Sequence, residues 1–469
     1  MPGQQPAGTS LSPLRLAIFS AAGLPVGGYV ATLAVYLPNY YARHLGLSLA
    51  AVGLAFTVVR ILDILLDPAL GVAMDATKTS FGRFRPWLVA SVPVLGLATA
   101  AAYFPASNAG PLYLTICLLV LYAGYSMCVL AHAAWGTALV QEYHQRSRVY
   151  GWIQAVGVVG AAGVLLAPIL VTVVTHRKIE PVPVMGWFLV ITVPLTFALT
   201  GFFAQEPAAH PAPRQHFKLR DYLALMTRAD MVRNLVATLL TTFGPAITAP
   251  LYLFFFEDAR GYTPNQANFL LLIYILAGLA APAFWTRVSI RFGKSQTIKI
   301  ASVTYALAQT GLLLLPRAHP LEMSVAMFTV GFVASAFGFI LRAMVSDICD
   351  EVRLETGKDR TALLYALVTS TAKMASTVSV GVAYTLLPLF GFKAAEGAAN
   401  TPTAMWGLQA LYLVPPVACV LLGGLAMFGY RMNEKRHGEV RAALADRAAA
   451  ALPVSGTEAR PIGQLQAGE

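Results

Sequence analysis

The chain has 469 residues, of which 57 % are apolar and 12 % charged, and its mean hydropathy is +0.64. Soluble domains run to roughly 45–50 % apolar and about 25 % charged, so a soluble enzyme, a disordered chain and collagen-like or disulfide-rich classes are excluded, and a polytopic helical membrane protein remains. The net charge of +11 lies in short basic clusters between long uncharged runs, the habit of membrane loops rather than the basic stripe of a nucleic-acid binder.

In chain order, residues 1–15 read as a flexible cytoplasmic N-tail, without the basic region that opens a secretory signal. A spanning helix needs about 20 mostly apolar residues. The uncharged run 86–141 is too long for one span and breaks at the turn cluster Pro105-Ala-Ser-Asn-Ala-Gly-Pro111. Twelve spans are predicted: 16–42, 48–74, 87–105, 111–139, 149–175, 184–204, 232–256, 265–286, 297–316, 323–346, 361–391 and 404–430. They divide into an N-terminal six-helix bundle (16–204), a central cytoplasmic loop (205–231) and a C-terminal six-helix bundle (232–430), followed by a cytoplasmic tail (431–469) that begins as a short surface helix. Lys and Arg concentrate in the loops 2–3, 4–5, 6–7, 8–9 and 10–11, which makes those loops and both termini cytoplasmic. Phe81-Gly82-Arg83-Phe84-Arg85 and Arg291-Phe292-Gly293-Lys294 fall at equivalent places in the two halves and suggest an internal repeat.

Charges inside spans are the strongest functional signal. Arg60, Asp63 and Asp67 lie on one face of the second span by their spacings of three and four. A charge near the bilayer centre costs roughly 2.5–3.5 kcal/mol, so the pair of acids binds a cation, holds a proton, or pairs with Arg60 in a structural ion network. Pro68 frees the carbonyl of Ile64 one turn away. Lys373 sits in the middle of span 11 and shares a polar face with Tyr365, Thr369 and Ser376. His132 and Trp135 end span 4, where an indole suits either a ring-shaped ligand or the interfacial aromatic belt. In span 1, Gly23-Leu-Pro25-Val-Gly27-Gly28 marks a flexible, broken or tightly packed stretch, and Tyr29, Tyr36 and Tyr40 follow on one face as a candidate cavity wall.

The loop 10–11 charges Asp347, Asp350, Glu351 and Arg360, with Arg83, Arg85, Arg146 and Arg148 of the first half, form a candidate cytoplasmic gate; a solvated charged loop is the alternative. Cys117, Cys128, Cys349 and Cys419 stand far apart and imply neither a metal cage nor a disulfide framework. HExxH, GxSxG and P-loop motifs are absent, so no enzyme is expected.

Arg60-Ile-Leu-Asp63-Ile-Leu-Leu-Asp67-Pro68, followed by Gly82-Arg-Phe-Arg-Pro86-Trp87, resembles the glycoside–pentoside–hexuronide:cation symporters of the major facilitator superfamily, to which melibiose permease belongs. Trp135, Arg146-Ser-Arg148, Asp347-x-x-Asp350 and Lys373 extend the resemblance. It implies an all-α fold of twelve transmembrane helices in two bundles, with Asp63 and Asp67 binding the coupling H+ or Na+, Lys373 near them, and Trp135 lining the sugar cavity.

The departures from that pattern bear on substrate and ion. The sugar-gripping acids of melibiose permease are missing at Leu24-Pro25 and at Ala131, and Leu66 and Cys128 replace neutral oxygen ligands. A proton, which needs only a carboxylate, is therefore favoured over Na+. The expected protein is a monomeric inner-membrane symporter for a sugar, glycoside or related polar organic solute, with no cofactor, metal or nucleic-acid partner. The alternatives are a carrier of an amphipathic, lysolipid-like substrate and a non-transporting solute sensor.

Overall fold

A computed structural model describes residues 12–77, 79–139, 143–177, 179–204, 206, 225–357, 360–432 and 434–450. Most of the central loop, the first eleven residues and the end of the tail lie outside the described residues, as does the side chain of Arg146.

The described chain is almost wholly helical. Eleven helices are long and apolar enough to cross a membrane, and a bent pair, α1 (Pro13–Ser20) and α2 (Gly23–Arg43), makes a twelfth span with a 45° bend. The others are α3 (Leu49–Ala76), α4 (Arg85–Tyr103), α5 (Pro111–Leu139), α6 (Tyr143–Thr175), α7 (Pro181–Phe203), α8 (Ala229–Leu253, continued by a wide turn over Phe254–Ala259), α9 (Pro264–Phe292), α10 (Lys294–Leu314), α11 (Pro320–Thr356), α12 (Thr361–Leu386) and α13 (Pro402–Ala426). The tail forms α14 (Glu434–Ala450).

Local chemistry sets the helix starts. Proline opens α5, α7, α9, α11 and α13, where its missing N–H costs nothing and its fixed φ suits the first turn. Ser48, Thr263 and Thr401 cap their helices, and Thr263 with Gln266 closes a reciprocal capping box.

Several helices run past the predicted spans. The tenth was expected to end at residue 346, with Asp347, Asp350 and Glu351 in a loop, but α11 continues to Thr356 before Gly357 ends it at φ +68°. These acids are therefore helical. Span 5 likewise starts at Tyr143 rather than residue 149, which puts Arg146 and Arg148 on a helix. Hydropathy marks where a helix leaves the membrane, not where its backbone hydrogen bonds stop.

The first seven helices pack among themselves, chiefly α2 on α6, α3 and α4 on α5, and α4 on α7. Helices α8 to α13 do the same, with α8 against α12 and α13, and α9 and α10 against α11. The two groups meet where α3 touches α12, α6 touches α9 and α2 touches α8. The break in span 1 falls at Ala21-Ala22, just before the glycine stretch, and the glycines serve packing: a Cβ on Gly27 would overlap the backbone of Gly157 on α6.

Candidate functional site

Asp63, Asp67 and Lys373 meet in the middle of the molecule, although α3 and α12 belong to different halves. Lys373 Nζ lies 3.2 Å from Asp63 Oδ2 and is ion-paired with Asp67. Glycines ease the close approach of α3 and α12: a Cβ on Gly53 would stand 3.0 Å from Tyr384 Cβ, and one on Gly381 would overlap the Thr57 hydroxyl.

Asp63 is 3 % exposed, and its Oδ1 accepts a 2.6 Å hydrogen bond from Ser126 Oγ on α5. Asp67 Oδ1 is buried and has no hydrogen-bond partner among the described residues. A buried carboxylate oxygen in that condition normally carries a desolvation cost of about 1–3 kcal/mol or more, and a bound cation or a proton would relieve it.

Arg60 does not join the pair of acids. No carboxylate lies within ion-pair distance of it among the described residues, and its guanidinium carbon stands 5.1 Å from the centre of the Tyr122 ring. Lys373 takes the place that the one-face spacing on α3 allotted to Arg60.

Ser126 was not picked out from the sequence. It is a small polar residue in an apolar run, two places before Cys128, where the family pattern has an oxygen ligand, and only the packing of α5 on α3 brings its hydroxyl to Asp63. Pro68 lies inside α3, which continues unbroken to Ala76.

A cavity of about 280 Å³ lies between the halves beside this cluster. Arg60 and Phe56 line it from α3, Tyr122 and Tyr125 from α5, Val30 and Leu33 from α2, Pro250 from α8, and Ser376, Thr377, Ser379 and Val380 from α12. A smaller one of about 150 Å³ shares Ala249 with it and is ringed by Tyr252, Tyr274, Tyr305, Tyr412, Thr248 and Gln309. A third, of about 400 Å³, shares Val30, lies along α2, α5 and α6, and is mostly apolar; His132 borders it.

The remaining expected substrate residues are placed differently. Trp135 is fully buried, edge-on to Phe19 at 5.7 Å and capped by the Arg85 guanidinium, and lines none of these three cavities. Phe19 of α1 packs on the indole where a cavity wall was expected. His132 bonds the Phe19 carbonyl through Nε2 at 2.9 Å. Tyr29 is buried against Thr99, with a hydroxyl–hydroxyl distance of 2.5 Å. Tyr36 donates to Asn268 Oδ1 at 2.7 Å and so ties α2 to α9 across the halves. Tyr365 reaches the Arg342 carbonyl at 3.4 Å, and Thr369 is exposed.

At the end carrying the basic loops, the described partners of Arg83, Arg85, Asp347, Asp350 and Glu351 each lie on the same side of the molecule's division. Arg83 pairs with Asp75, and Arg85 bonds the Ala204 carbonyl. The Glu206 carboxylate accepts the backbone N–H groups of Arg83, Phe84 and Arg85. In the second half, Lys294 holds Asp347 at 2.7 Å, while His437 and Arg436 of α14 reach Asp350 at 3.1 Å and Glu351 at 3.7 Å. Arg148 is exposed on α6, and Arg360 precedes the first turn of α12.

The opposite end bridges the halves, through residues that the sequence reading passed over. Arg43 pairs with Glu257 and Asp258. His44 contacts Glu180 through Nε2 and Glu396 through Nδ1, both at 3.1 Å. Burial, with Glu257 and Glu396 nearby, pushes the Glu180 carboxyl up to about 7 against the opposing pull of Arg43. Burial also lowers the His44 imidazole, despite Glu396. A neutral imidazole has one N–H, so one of its two carboxyl contacts must supply a proton, and Glu180 is the carboxyl raised to do so. The signal available in the sequence was Arg43, an isolated basic residue at the otherwise base-poor end, and the acidic pair Glu257-Asp258 closing span 7.

A family model described as MFS/sugar transport protein matches residues 18–434. The chain is 23 % identical to the uncharacterized symporter YjmB of Bacillus subtilis (strain 168), over 87 % of this chain and 89 % of that one. It is also 23 % identical to the inner membrane symporter YicJ of Escherichia coli (strain K12), over 83 % and 85 %. Among solved structures, the nucleoside transporter NupG superposes with a TM-score of 0.63 at 13 % identity, covering 89 % of this chain and 99 % of that one.

Proposed function

Because the chain belongs to the MFS/sugar transport protein family, we propose that it couples entry of a sugar, glycoside or related polar organic solute to entry of H+ or Na+ across a cell inner membrane, with both termini cytoplasmic. The observation that carries this reading is the pair Asp63 and Asp67 held by a lysine from the other half, with one buried Asp67 oxygen unpartnered among the described residues.

Coupling follows from competition for those two carboxylates. Lys373 and a coupling cation want the same oxygens. A cation at Asp67 weakens the ion pair that joins α3 to α12, so the halves are freed to rock only when the site is refilled. Solute in the central cavity touches both halves and completes the contact that the displaced lysine gave up. The empty carrier, with Lys373 in place, and the doubly loaded carrier then turn over, whereas the singly loaded carrier does not.

H+ fits this site better than Na+. Ser126 supplies one neutral oxygen, but Leu66 and Cys128 supply none, and Na+ needs several to replace its water. Charged side chains at such depth normally serve ion or proton pathways. The ion pairs joining the halves at the Arg43 end support a conformation open toward the basic, cytoplasmic end.

The test is uptake into proteoliposomes under an imposed inward proton gradient in sodium-free buffer. Asp67→Asn is expected to abolish accumulation and leave a folded protein. Accumulation at the wild-type level would remove Asp67 from the coupling site, and strict Na+ dependence without a pH signal would reverse the choice of ion.

A second reading, an amphipathic solute, is favoured by the apolar cavity of about 400 Å³ that adjoins the central one. Lysolipid uptake by the same vesicles separates the two.

A further inference from the structure

We propose that a phosphate group, carried by an anionic lipid headgroup or free in the cytoplasm, binds at the start of α10 and does for the second half what the Glu206 carboxylate does for the first. The site is separate from the central cavity and independent of the choice of solute and coupling ion.

The internal repeat carries the argument. Phe81-Gly82-Arg83-Phe84-Arg85 and Phe292-Gly293-Lys294-Ser295-Gln296 align on Phe-Gly-basic, and each leads into the third span of its half. Gly82 and Gly293 both hold positive φ, +111° and +83°, a conformation that favours glycine. In the first half the N–H groups of Arg83, Phe84 and Arg85 donate to Glu206 at 2.6, 2.7 and 3.1 Å. Glu206 follows α7, the last span of that half, and it fits closely: a Cβ on Gly82 would overlap its carboxylate. Three converging N–H groups at a helix start make an anion site, and the first half fills it from its own chain.

The second half repeats the site without the carboxylate. Lys294, Ser295 and Gln296 open α10, so their N–H groups have no partner within the helix, and no side chain caps them. The segment after α13, Gly429-Tyr430-Arg431-Met432, holds no acid. It docks as its counterpart does: Ser295 Oγ donates to the Met427 carbonyl at 3.1 Å, as Arg85 donates to the Ala204 carbonyl at 2.7 Å. In place of the carboxylate there is a cavity of about 420 Å³, bounded by Gly293, Ser295, Gln296, Lys299, Tyr430 and Met432 among others. A Cβ on Gly293 would meet nothing within 4 Å. The Tyr430 hydroxyl in the cavity wall is buried without a hydrogen-bond partner among the described residues.

Charge and size select the ligand. Asp347 also lines the cavity, but Lys294 holds both of its oxygens at 2.7 Å, so that pair cancels. Lys299 is left, with no carboxylate partner among the described residues; its Nζ lies 4.2 Å from the centre of the Phe428 ring. A cation beside three N–H groups calls for an oxyanion. At roughly 30 Å³ per water, the cavity exceeds a carboxylate several times over and admits a phosphate with its attached glycerol. Ile290, Phe292 and Phe428 are exposed nearby, a surface that suits acyl chains where basic groups meet the cytoplasmic leaflet.

The test uses full-length carrier in nanodiscs of phosphatidylcholine alone, and of phosphatidylcholine with phosphatidylglycerol. Thermal melts are recorded with potassium phosphate and with potassium chloride at equal ionic strength, because screening alone shifts surface electrostatics. A lipid source predicts stabilisation by phosphatidylglycerol and one such lipid retained per carrier in native mass spectrometry. A soluble source predicts stabilisation by inorganic phosphate in phosphatidylcholine alone. In either case Lys299→Gln should weaken the response about tenfold, by loss of one charge-assisted contact. Gln296→Glu, which puts a carboxylate in the first turn of α10, should fold and lose the response. Lys435→Gln, at an exposed basic residue of α14 outside the cavity, should keep it. No stabilisation by either source beyond the chloride control would overturn the proposal. So would a response that survives in Lys299→Gln or Gln296→Glu, or one that Lys435→Gln weakens equally, which would mark general attraction to the basic end.

Discussion

Lys373 and Asp67 are 306 residues apart in the chain and joined in the fold, so each can be tested through the other. Removing one partner of an ion pair withdrawn from water leaves a charge that the other no longer balances, at a cost of about 3–5 kcal/mol when fully buried and less here, where both side chains are partly exposed. Lys373→Met is therefore expected to lower the melting temperature, and adding Asp67→Asn should recover part of the loss. A double-mutant cycle on thermal unfolding in detergent measures the coupling; additive losses would mean that the pair contributes nothing. Trp135 makes the opposite kind of case. Its enclosure by Phe19 and Arg85 predicts that Trp135→Ala costs about 3–5 kcal/mol of stability while leaving the affinity of a transported solute within about twofold. A large selective loss of solute affinity, with melting unchanged, would return the indole to the cavity wall. Asp63, Asp67 and Lys373 were legible in the sequence because a charge inside an apolar run stands out by itself. Ser126 and the position of Trp135 were not, because a serine or an indole is ordinary at its place and acquires a role only from what packs on it.

Helices were legible through their apolar runs, and their ends were not. The acids from Asp347 to Glu355 read as loop by charge, yet α11 carries them as helix to Thr356, held by Lys294 and by the tail helix α14. The glycines of span 1 are compatible with flexibility or with tight packing, and the close approach of α2 to α6 supports packing. A Cβ on Gly160 would overlap the Leu24 carbonyl, a backbone atom that cannot turn aside, whereas Gly151 on the same helix has open space around it. Gly160→Ala is expected to destabilise by about 1–3 kcal/mol through overpacking. Gly151→Ala is expected to be neutral or to stabilise by up to about 1 kcal/mol, since alanine loses less backbone freedom in a helix. Thermal melts of the two variants should move apart in that order. Equal shifts would mean that α2 and α6 separate as easily as a solvated pair.

At the scale of the whole molecule, the halves are pinned at the end where Arg43 meets Glu257 and Asp258 and where His44 lies between Glu180 and Glu396. Opening that end would solvate Glu180. The pinned arrangement keeps a proton on Glu180 up to pH about 7, whereas its ordinary value is 4.5. The pinned state thus binds a proton that the open state has lost, and acid favours pinning as pH falls through 7. His44 works the other way, because burial lowers it below its ordinary 6.5; protonating it favours release, but only as the pH approaches and passes below that value. Glu257 and Glu396 act on Glu180, Glu396 acts on His44, and Arg43, next to His44 in the chain, acts on both; together they set the field in which the pair titrates. Between about pH 8 and 6.5, Glu180 is expected to dominate. Spin labels at Arg177 and Lys393, exposed on opposite halves at this end, should report a growing short-distance population as the pH falls across that window. Glu180→Gln, which mimics the protonated carboxyl, should hold the short distance throughout and flatten the profile. A wild-type population that lengthens with acid in the same window would assign the response to His44, and the pin would then be released, not set, by acid.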